Sequence, residues 1–434
     1  MTSPTWPSTV RAAASPQVYG TVTACTGSAI DVEGVRGAVG DAVRVRRDCG
    51  PLTCEVVGLR QGSLVCLPFG DATGVRSGDR VEHLGGPIGV PVGAGLLGRV
   101  VDGFGRPLRG SPPLGPDTVE VPLDAEPPDA LGRPLVGERL SLGVRVVDAL
   151  VPVGRGQRLG ILAGSGVGKS SLLSMVTRYT EADVIVLALV GERGREVGEF
   201  LERDLGAEAR RRAVTVVSTS DQPALVRLRA GFLATRVAEA FRDEGAHVLL
   251  LMDSLTRFAM AQREVGLAAG EPPVTRGYPP SVFGLLPRLL ERAGTSAQGS
   301  ITGLYTVLVD GDDMNEPLTD AVRSILDGHL VLSRRLAESG HFPAVDVCAS
   351  LSRVAPAISS AEELEVAAHV RALLSALAEA RDLVEVGAYV SGSNPLVDEA
   401  LRRAPAIESF CRQGMHEQAA LADTTARLAQ LVAA

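Results

Sequence analysis

RLGILAGSGVGKSSLLSMVTRY, residues 158–179, is the stretch on which the fold turns. RLGIL reads as a short buried strand, AGSGVGKSS (Ala163–Ser171) as a tight glycine-rich loop, and SLLSMVTRY as the helix it opens. A strand–loop–helix unit of this kind binds phosphate. Its glycines let backbone N–H groups close around phosphate oxygens, and the helix N-terminus adds positive potential. Gly164, Ser165, Gly166, Val167, Gly168, Lys169, Ser170 and Ser171 are therefore the candidate nucleotide-binding residues. Lys169 would reach the β- and γ-phosphates of a nucleotide, and the Ser170 hydroxyl would ligand Mg2+. The strict pattern begins with glycine, where this chain has Ala163. The bland alternative is a glycine-rich turn with a chance GKS. Against it stands the composition: of 43 basic residues, Lys169 is the only lysine. A flexible ammonium is kept here and replaced by a planar guanidinium everywhere else.

Outward from the loop, apolar strand-like runs (DVIVLALVG, AVTVVSTS, HVLLLMDS, LYTVLVDG) alternate with helix-length segments. That alternation predicts an α/β fold with a doubly wound, mostly parallel sheet. In HVLLLMDS (His247–Ser254) the apolar run ends in Asp253, placed to stand beside the Mg2+ of the phosphate loop, as a ligand or through water. DVIVLALV leads into GERGRE. Its Glu192 falls at the C-terminal edge of a strand, where ligands gather in open α/β sheets, and a carboxylate there can polarise an attacking water. Arg193 either touches the γ-phosphate or holds the loop. The alternative for this cluster is a solvated turn with mutual salt bridges.

The rest of the chain divides by texture. Residues 1–16 are rich in Ser, Pro, Ala and Thr and read as a flexible N-terminus. Residues 17–86 carry short strand-like segments between Gly- and Asp-rich turns, which predicts a small β-barrel. Residues 87–359 read as the phosphate-binding core, with a Pro- and Gly-rich surface linker at 103–137. Residues 360–434 read as a helical domain: Ser360 and Glu363 suit a capping box, and Asn394–Pro395 suits a second helix start.

Composition narrows the function classes. The 434 residues are 45% hydrophobic and carry a net charge of -8. The barrel segment has seven arginines against eight acids and only Tyr19 and Phe69 as aromatics, so no nucleic-acid partner is expected. No apolar run reaches the ~18–20 residues that span a bilayer, and MTSPTWPSTV lacks the regions of a signal peptide. A soluble cytoplasmic protein is expected. Six cysteines with no CxxC pair, Cys49 and Cys54 included, suggest reduced thiols rather than a metal site.

GERGREVGEF, STSDQPALVRLRAGF, MDSLTRFAMAQREVGLAAGEPPVTRGYPPSVFGLLPRLLERAG, DGDDMNEPLTDAVRSILDGHLVLSRRLAESGHFPAVDV and PAVDVCASLSR follow one another in this order. Together they resemble the ATPases of type III protein export, the flagellum-specific ones above all, over roughly residues 85–415. That family is similar to the catalytic subunits of rotary ATP synthases. The resemblance implies a RecA-like P-loop core between a barrel and a helical tail, assembled as a homohexamer. It implies ATP and Mg2+ as substrate and cofactor, and a peripheral location at the cytoplasmic face of the inner-membrane export apparatus. The partners implied are a stator-like regulator dimer, a central-stalk protein, the export gate, export substrates and their chaperones.

By position, the resemblance makes Glu192 the catalytic glutamate and Arg353 the arginine finger that crosses a subunit boundary. Phe342 falls where the family has a tyrosine stacking on adenine, and Tyr389 would supply the other side of that pocket. Asp312 and Asp313 lie in a loop that faces the ring's centre, or else form an acidic turn. Two departures stand out. Only residues 1–17, broken by Pro and Ser, precede the barrel where the family has a regulator-binding helix, and Gly198 replaces a common arginine. Competing functions are a virulence injectisome ATPase, an RNA-translocating ring, and a non-catalytic ring subunit; the last lacks the glutamate that Glu192 supplies. TRGYPPSVF and RRLAESGHFPAVD lean flagellar.

Overall fold

The computed structural model describes residues 18–309, 311, 313, 314 and 316–433. The expected flexible segment 1–16 and Asp312 lie outside the described residues. Six antiparallel strands open the chain: β1 (Tyr19–Thr26), β2 (Ala29–Glu33), β3 (Ala42–Arg47), β4 (Gly50–Arg60), β5 (Ser63–Pro68) and β6 (Arg80–His83). They close into a barrel in the order β1-β2-β5-β4-β3-β6. Alternate residues point inward, so Val22, Ile30, Val32, Val43, Val45, Cys54, Val56 and Cys66 are buried. All six cysteines are free, and burial pushes the Cys66 thiol up to about 12. Among the described residues, the barrel belongs to one compact unit that runs to Gly89 and takes in two short later segments; the rest form the other.

In the second unit, β7 (Val90–Val92) pairs with β9 (Val119–Val121), a short strand inside the segment read as linker, and β10 (Arg139–Leu140) pairs with β11 (Val153–Gly154). The main sheet contains β8 (Val100–Val101), β12 (Arg158–Ala163), β13 (Val184–Val190), β14 (Ala213–Ser218), β15 (His247–Asp253), β17 (Ser300–Leu308), β18 (Gly328–Leu332) and β19 (Val345–Ser352). Their order is β19-β18-β12-β17-β15-β13-β14-β8, with β16 (Gly294–Thr295) alongside β17. From β18 to β8 every pair on this path is parallel. Each of the seven residues of β13 is buried, as expected of a strand covered on both faces.

β19 breaks the pattern: it runs antiparallel to β18, with Leu332 opposite Val345 and Gly328 opposite Ser352. It therefore starts at the C-terminal edge of the parallel strands and ends at their N-terminal edge. The two ends of PAVDVCASLSR consequently lie on opposite edges of the sheet.

Helices α1 (Arg145–Leu150), α2 (Lys169–Tyr179) and α3 (Gly194–Glu199) precede three longer ones, α4 (Ala361–Glu385), α5 (Pro395–Cys411) and α6 (Leu421–Ala433). Both predicted starts are present. The Ser360 Oγ accepts from the Glu363 N–H at 3.1 Å while the Ser360 N–H donates to the Glu363 carboxylate at 2.9 Å. The Asn394 Oδ1 accepts from the Leu396 N–H at 3.0 Å. The three helices share the core of the sheet: Val370, Leu373, Ile407, Phe410 and Leu428 join the buried cluster that holds Leu172, Leu187 and Leu249.

Candidate active site

Three strand ends at one edge of the sheet build the site. β12 delivers the phosphate loop, β15 ends on Asp253, and β13 ends two residues before Glu192, all at the C-terminal edge of the sheet. Ala163, the departure from the pattern, is the last residue of β12. It is buried in the core and needs no glycine. Gly168, by contrast, is required: its φ is +89°, and a Cβ there would lie 3.0 Å from the Phe342 ring. Val167 turns its side chain into the core, so only its backbone is offered to the loop.

The Lys169 ammonium sits between two carboxylates, 2.5 Å from the Asp253 Oδ1 and 3.8 Å from the Glu192 Oε1. The Thr306 hydroxyl, on β17, donates to the same Asp253 oxygen at 2.6 Å and fixes the carboxylate from the other side. A cavity of about 410 Å3 opens over these groups and is lined by Gly164, Ser165, Gly166, Gly168, Lys169, Ser170 and Ser171 together with Glu192, Asp253 and Arg257. The sequence-derived loop, Asp253 and Glu192 thus meet in one place.

Burial, and then the charge of Asp253, hold the Glu192 carboxyl above the usual glutamate range, against the pull of Lys169 and Arg257. One oxygen of that carboxylate is buried without a hydrogen-bond partner, so it has acceptor capacity to offer. Glu192 must be ionised to accept a proton from water, so activity is lost as pH falls through its raised pKa. The acid limb of the kcat/KM–pH profile, which reports the free enzyme, is expected above the ordinary glutamate range. A limb at or below about 4.3, the ordinary glutamate value, would contradict that assignment.

Arg257 and Thr306 were not singled out from the sequence. Arg257 lies one turn beyond Asp253 in MDSLTRF, a spacing that was readable. It packs against Gly191, whose φ is +71° and where a Cβ would sit 2.7 Å from the Arg257 Cβ. Arg193 lines the mouth of the cavity but is exposed, paired with Glu196 at 3.1 Å. At Gly198, on α3, an added Cβ would meet nothing within 4 Å, so packing does not demand the glycine.

Phe342 is 41% exposed and packs beside Gly168. It lines a second cavity, of about 670 Å3, with Glu408, Ser409, Arg412, Gln413 and Glu417. The Gln413 N–H donates to the Phe342 carbonyl at 3.0 Å. Tyr389 does not line that cavity. Its hydroxyl lies within hydrogen-bond distance of the Asp398 carboxylate, at 3.0 Å, and the Asn394 carbonyl, at 3.1 Å, at the start of α5. Asp313 pairs with Arg276 at 2.9 Å.

Arg353 follows β19 directly, at the edge opposite the phosphate loop. Its backbone N–H donates to the Asp327 carbonyl at 2.9 Å, and Asp327 in turn holds Arg158, the first residue of β12, at 3.1 Å. The loop lies at the far end of β12, roughly 17 Å on at the rise of a parallel strand. The exposed guanidinium reaches only the Arg323 carbonyl, at 3.4 Å, and among the described residues no carboxylate pairs with it.

The described residues contain no group of three or more His, Cys, Asp or Glu arranged to hold a metal. The donors the sequence assigns to the ion are the Ser170 hydroxyl and the Asp253 carboxylate, both in the lining of this cavity. That is a hard-oxygen set suited to an ion that keeps water and phosphate oxygens as its other ligands. The residues present therefore fit Mg2+.

Comparison with known proteins gives a consistent picture. The model of the ATP synthase alpha/beta family nucleotide-binding domain matches residues 143–352, that of the family's beta-barrel domain residues 22–85, and that of the T3SS EscN ATPase C-terminal domain residues 359–430. The flagellum-specific ATP synthase of Bacillus subtilis is 50% identical over 417 residues, 95% of each chain. The type 3 secretion system ATPase of Xanthomonas euvesicatoria is 48% identical, over 94% of this chain and 92% of its own. Among solved structures, the assembled ATPase EscN from the enteropathogenic E. coli type III secretion system superposes with a TM-score of 0.91 at 44% identity, over 95% of this chain and 100% of that one. EscN in complex with its central stalk EscO gives 0.88 at 43% identity, with the same coverage.

Proposed function

The chain belongs to the ATP synthase alpha/beta family, in the branch of flagellum-specific and type III secretion ATPases, and on that premise we propose that it hydrolyses ATP to energise flagellar type III protein export as a homohexameric ring. One observation carries the shared-site part of this reading. Lys169, Asp253 and Glu192 converge at one edge of the sheet while Arg353 ends exposed at the other, so the arginine serves a neighbour's nucleotide.

The backbone of residues 164–170 cradles the phosphates, and the Lys169 ammonium pairs with the β- and γ-oxygens. Ser170 and Asp253 would hold Mg2+, Asp253 directly or through water. When bound, that ion neutralises charge on the phosphate oxygens. Glu192 accepts a hydrogen bond from the attacking water and orients it for in-line displacement. Phe342 stacks on the base, with the polar cavity wall of α5 around it; Tyr389, tied to Asp398, supports that wall. The neighbour's Arg353 stabilises the charge that develops on the transferred group.

A cytoplasmic location at the membrane export apparatus, with a central stalk, a regulator dimer, the export gate, substrates and chaperones as partners, goes with this role. EscN in complex with EscO supports the stalk. No described helix is long and apolar enough to cross a membrane. Deletion of the gene is expected to abolish filament assembly and motility while leaving effector secretion intact. Loss of effector secretion with normal filaments would assign the chain to a virulence apparatus instead, and no effect on either would overturn the export reading.

A further inference from the structure

Residues 127–136 (PPDALGRPLV) have no regular secondary structure, yet they are held in place. The Arg133 guanidinium donates to the carbonyls of Pro128 at 3.1 Å, Ala293 at 3.2 Å and Glu291 at 2.5 Å. The Thr295 hydroxyl donates to the Pro134 carbonyl at 2.6 Å, and the Asp129 carboxylate accepts from the Gly132 N–H at 2.9 Å. On this pinned loop Leu131 is 96% and Leu135 95% exposed, while the most exposed of the other large hydrophobics is Val386 at 76%. Single exposed leucines are ordinary. Two almost fully exposed ones, four residues apart on a segment that hydrogen bonds keep from turning them inward, are not.

Their position gives the reason. Arg133 approaches the Glu291 carboxylate at 3.6 Å, Glu291 bridges to Arg158 at 2.5 Å, Arg158 to Asp327 at 3.1 Å, and the Asp327 carbonyl holds the Arg353 N–H at 2.9 Å. From the other side, a Cβ on Gly154 would meet both Val136, next to Leu135, and Ile358, five residues beyond Arg353. The leucine loop and Arg353 therefore share one edge of the sheet.

We propose that Leu131 and Leu135 are the apolar anchors by which one copy of this chain docks on the next, on the same boundary across which Arg353 reaches the neighbour's nucleotide. This rests on the shared-site reading above. The occupant is a second copy because the leucines continue the face of an arginine whose own phosphate loop lies on the opposite edge of the sheet. Such a head-to-tail contact joins two different surfaces and closes into a ring. The leucines supply the buried apolar contact that a lone exposed guanidinium cannot.

The test uses the full chain with ATP and Mg2+. Leu131→Ser/Leu135→Ser changes only exposed side chains, and circular dichroism checks its fold. It is expected to need at least ~10-fold more protein than wild type to assemble in sedimentation, with turnover recovering towards wild type once assembled. In parallel, the photo-crosslinking residue p-benzoylphenylalanine at position 131 should give covalent dimers that map to a second copy. A double variant that assembles at wild-type concentration, or crosslinking that yields monomer alone in assembled protein, overturns the leucine anchors and leaves the shared site standing. Arg353→Ala is the control for the latter. If wild type and Arg353→Ala turn over alike at every concentration, it is the shared site that fails.

Discussion

Glu192→Gln is expected to lower ATP turnover by ~10^2–10^4-fold while nucleotide binding survives. The substitution keeps the size and planarity of the side chain, so the fit between Lys169, Asp253 and Arg257 changes little. What it removes is the anion that accepts a hydrogen bond from water, and with it one of the two negative charges flanking Lys169. Lys169 then faces Asp253 alone and remains available to phosphate, so affinity should hold or rise. The loss belongs to kcat, the signature of an interaction made in the transition state. Equilibrium binding of a fluorescent ATP analogue beside steady-state hydrolysis separates the two. A variant within about tenfold of wild-type kcat would remove Glu192 from the water-orienting role.

Arg353→Ala should cost more, ~10^3–10^5-fold in kcat, the range found for arginine fingers. Among the described residues its guanidinium donates one hydrogen bond, at 3.4 Å, so removal disturbs the subunit little. Folding and phosphate-loop affinity should stay at wild-type levels. A structural role for the arginine would instead lower stability and leave turnover per folded molecule unchanged. Thermal unfolding measured alongside hydrolysis distinguishes these outcomes.

Much of this site was legible in the sequence because its pieces are local. The loop, its lysine, the acid at the end of HVLLLMDS and the glutamate after VIVLALV each sit at the C-terminus of a buried strand, and parallel strands bring such ends together whatever their order. The helix starts at Ser360 and Asn394 were readable for the same reason, since a cap involves residues three apart. Thr306 was not readable. Its use depends on β17 lying between β12 and β15, a matter of pairing that no local pattern carries. Nor does any local pattern show that the Tyr389 hydroxyl meets the Asp398 carboxylate or that Tyr389 does not line the cavity beside Phe342. The reversal of β19 was also invisible, because a run of small and β-branched residues reads the same in either direction. That reversal is what separates Phe342, at the chain's own phosphate loop, from Arg353 eleven residues later.

If each active site is shared between two copies, mixing two dead variants restores turnover. Lys169→Ala and Arg353→Ala are each expected to be all but inactive alone. In rings formed from a one-to-one mixture, roughly a quarter of the boundaries join an intact Lys169 to an intact Arg353 if the copies pair at random. Hydrolysis well above the sum of the two parents, towards a quarter of wild type, is the expected result. Mixed rings, verified by differential tagging, that hydrolyse no faster than their parents would contradict a shared site and return Arg353 to its own chain.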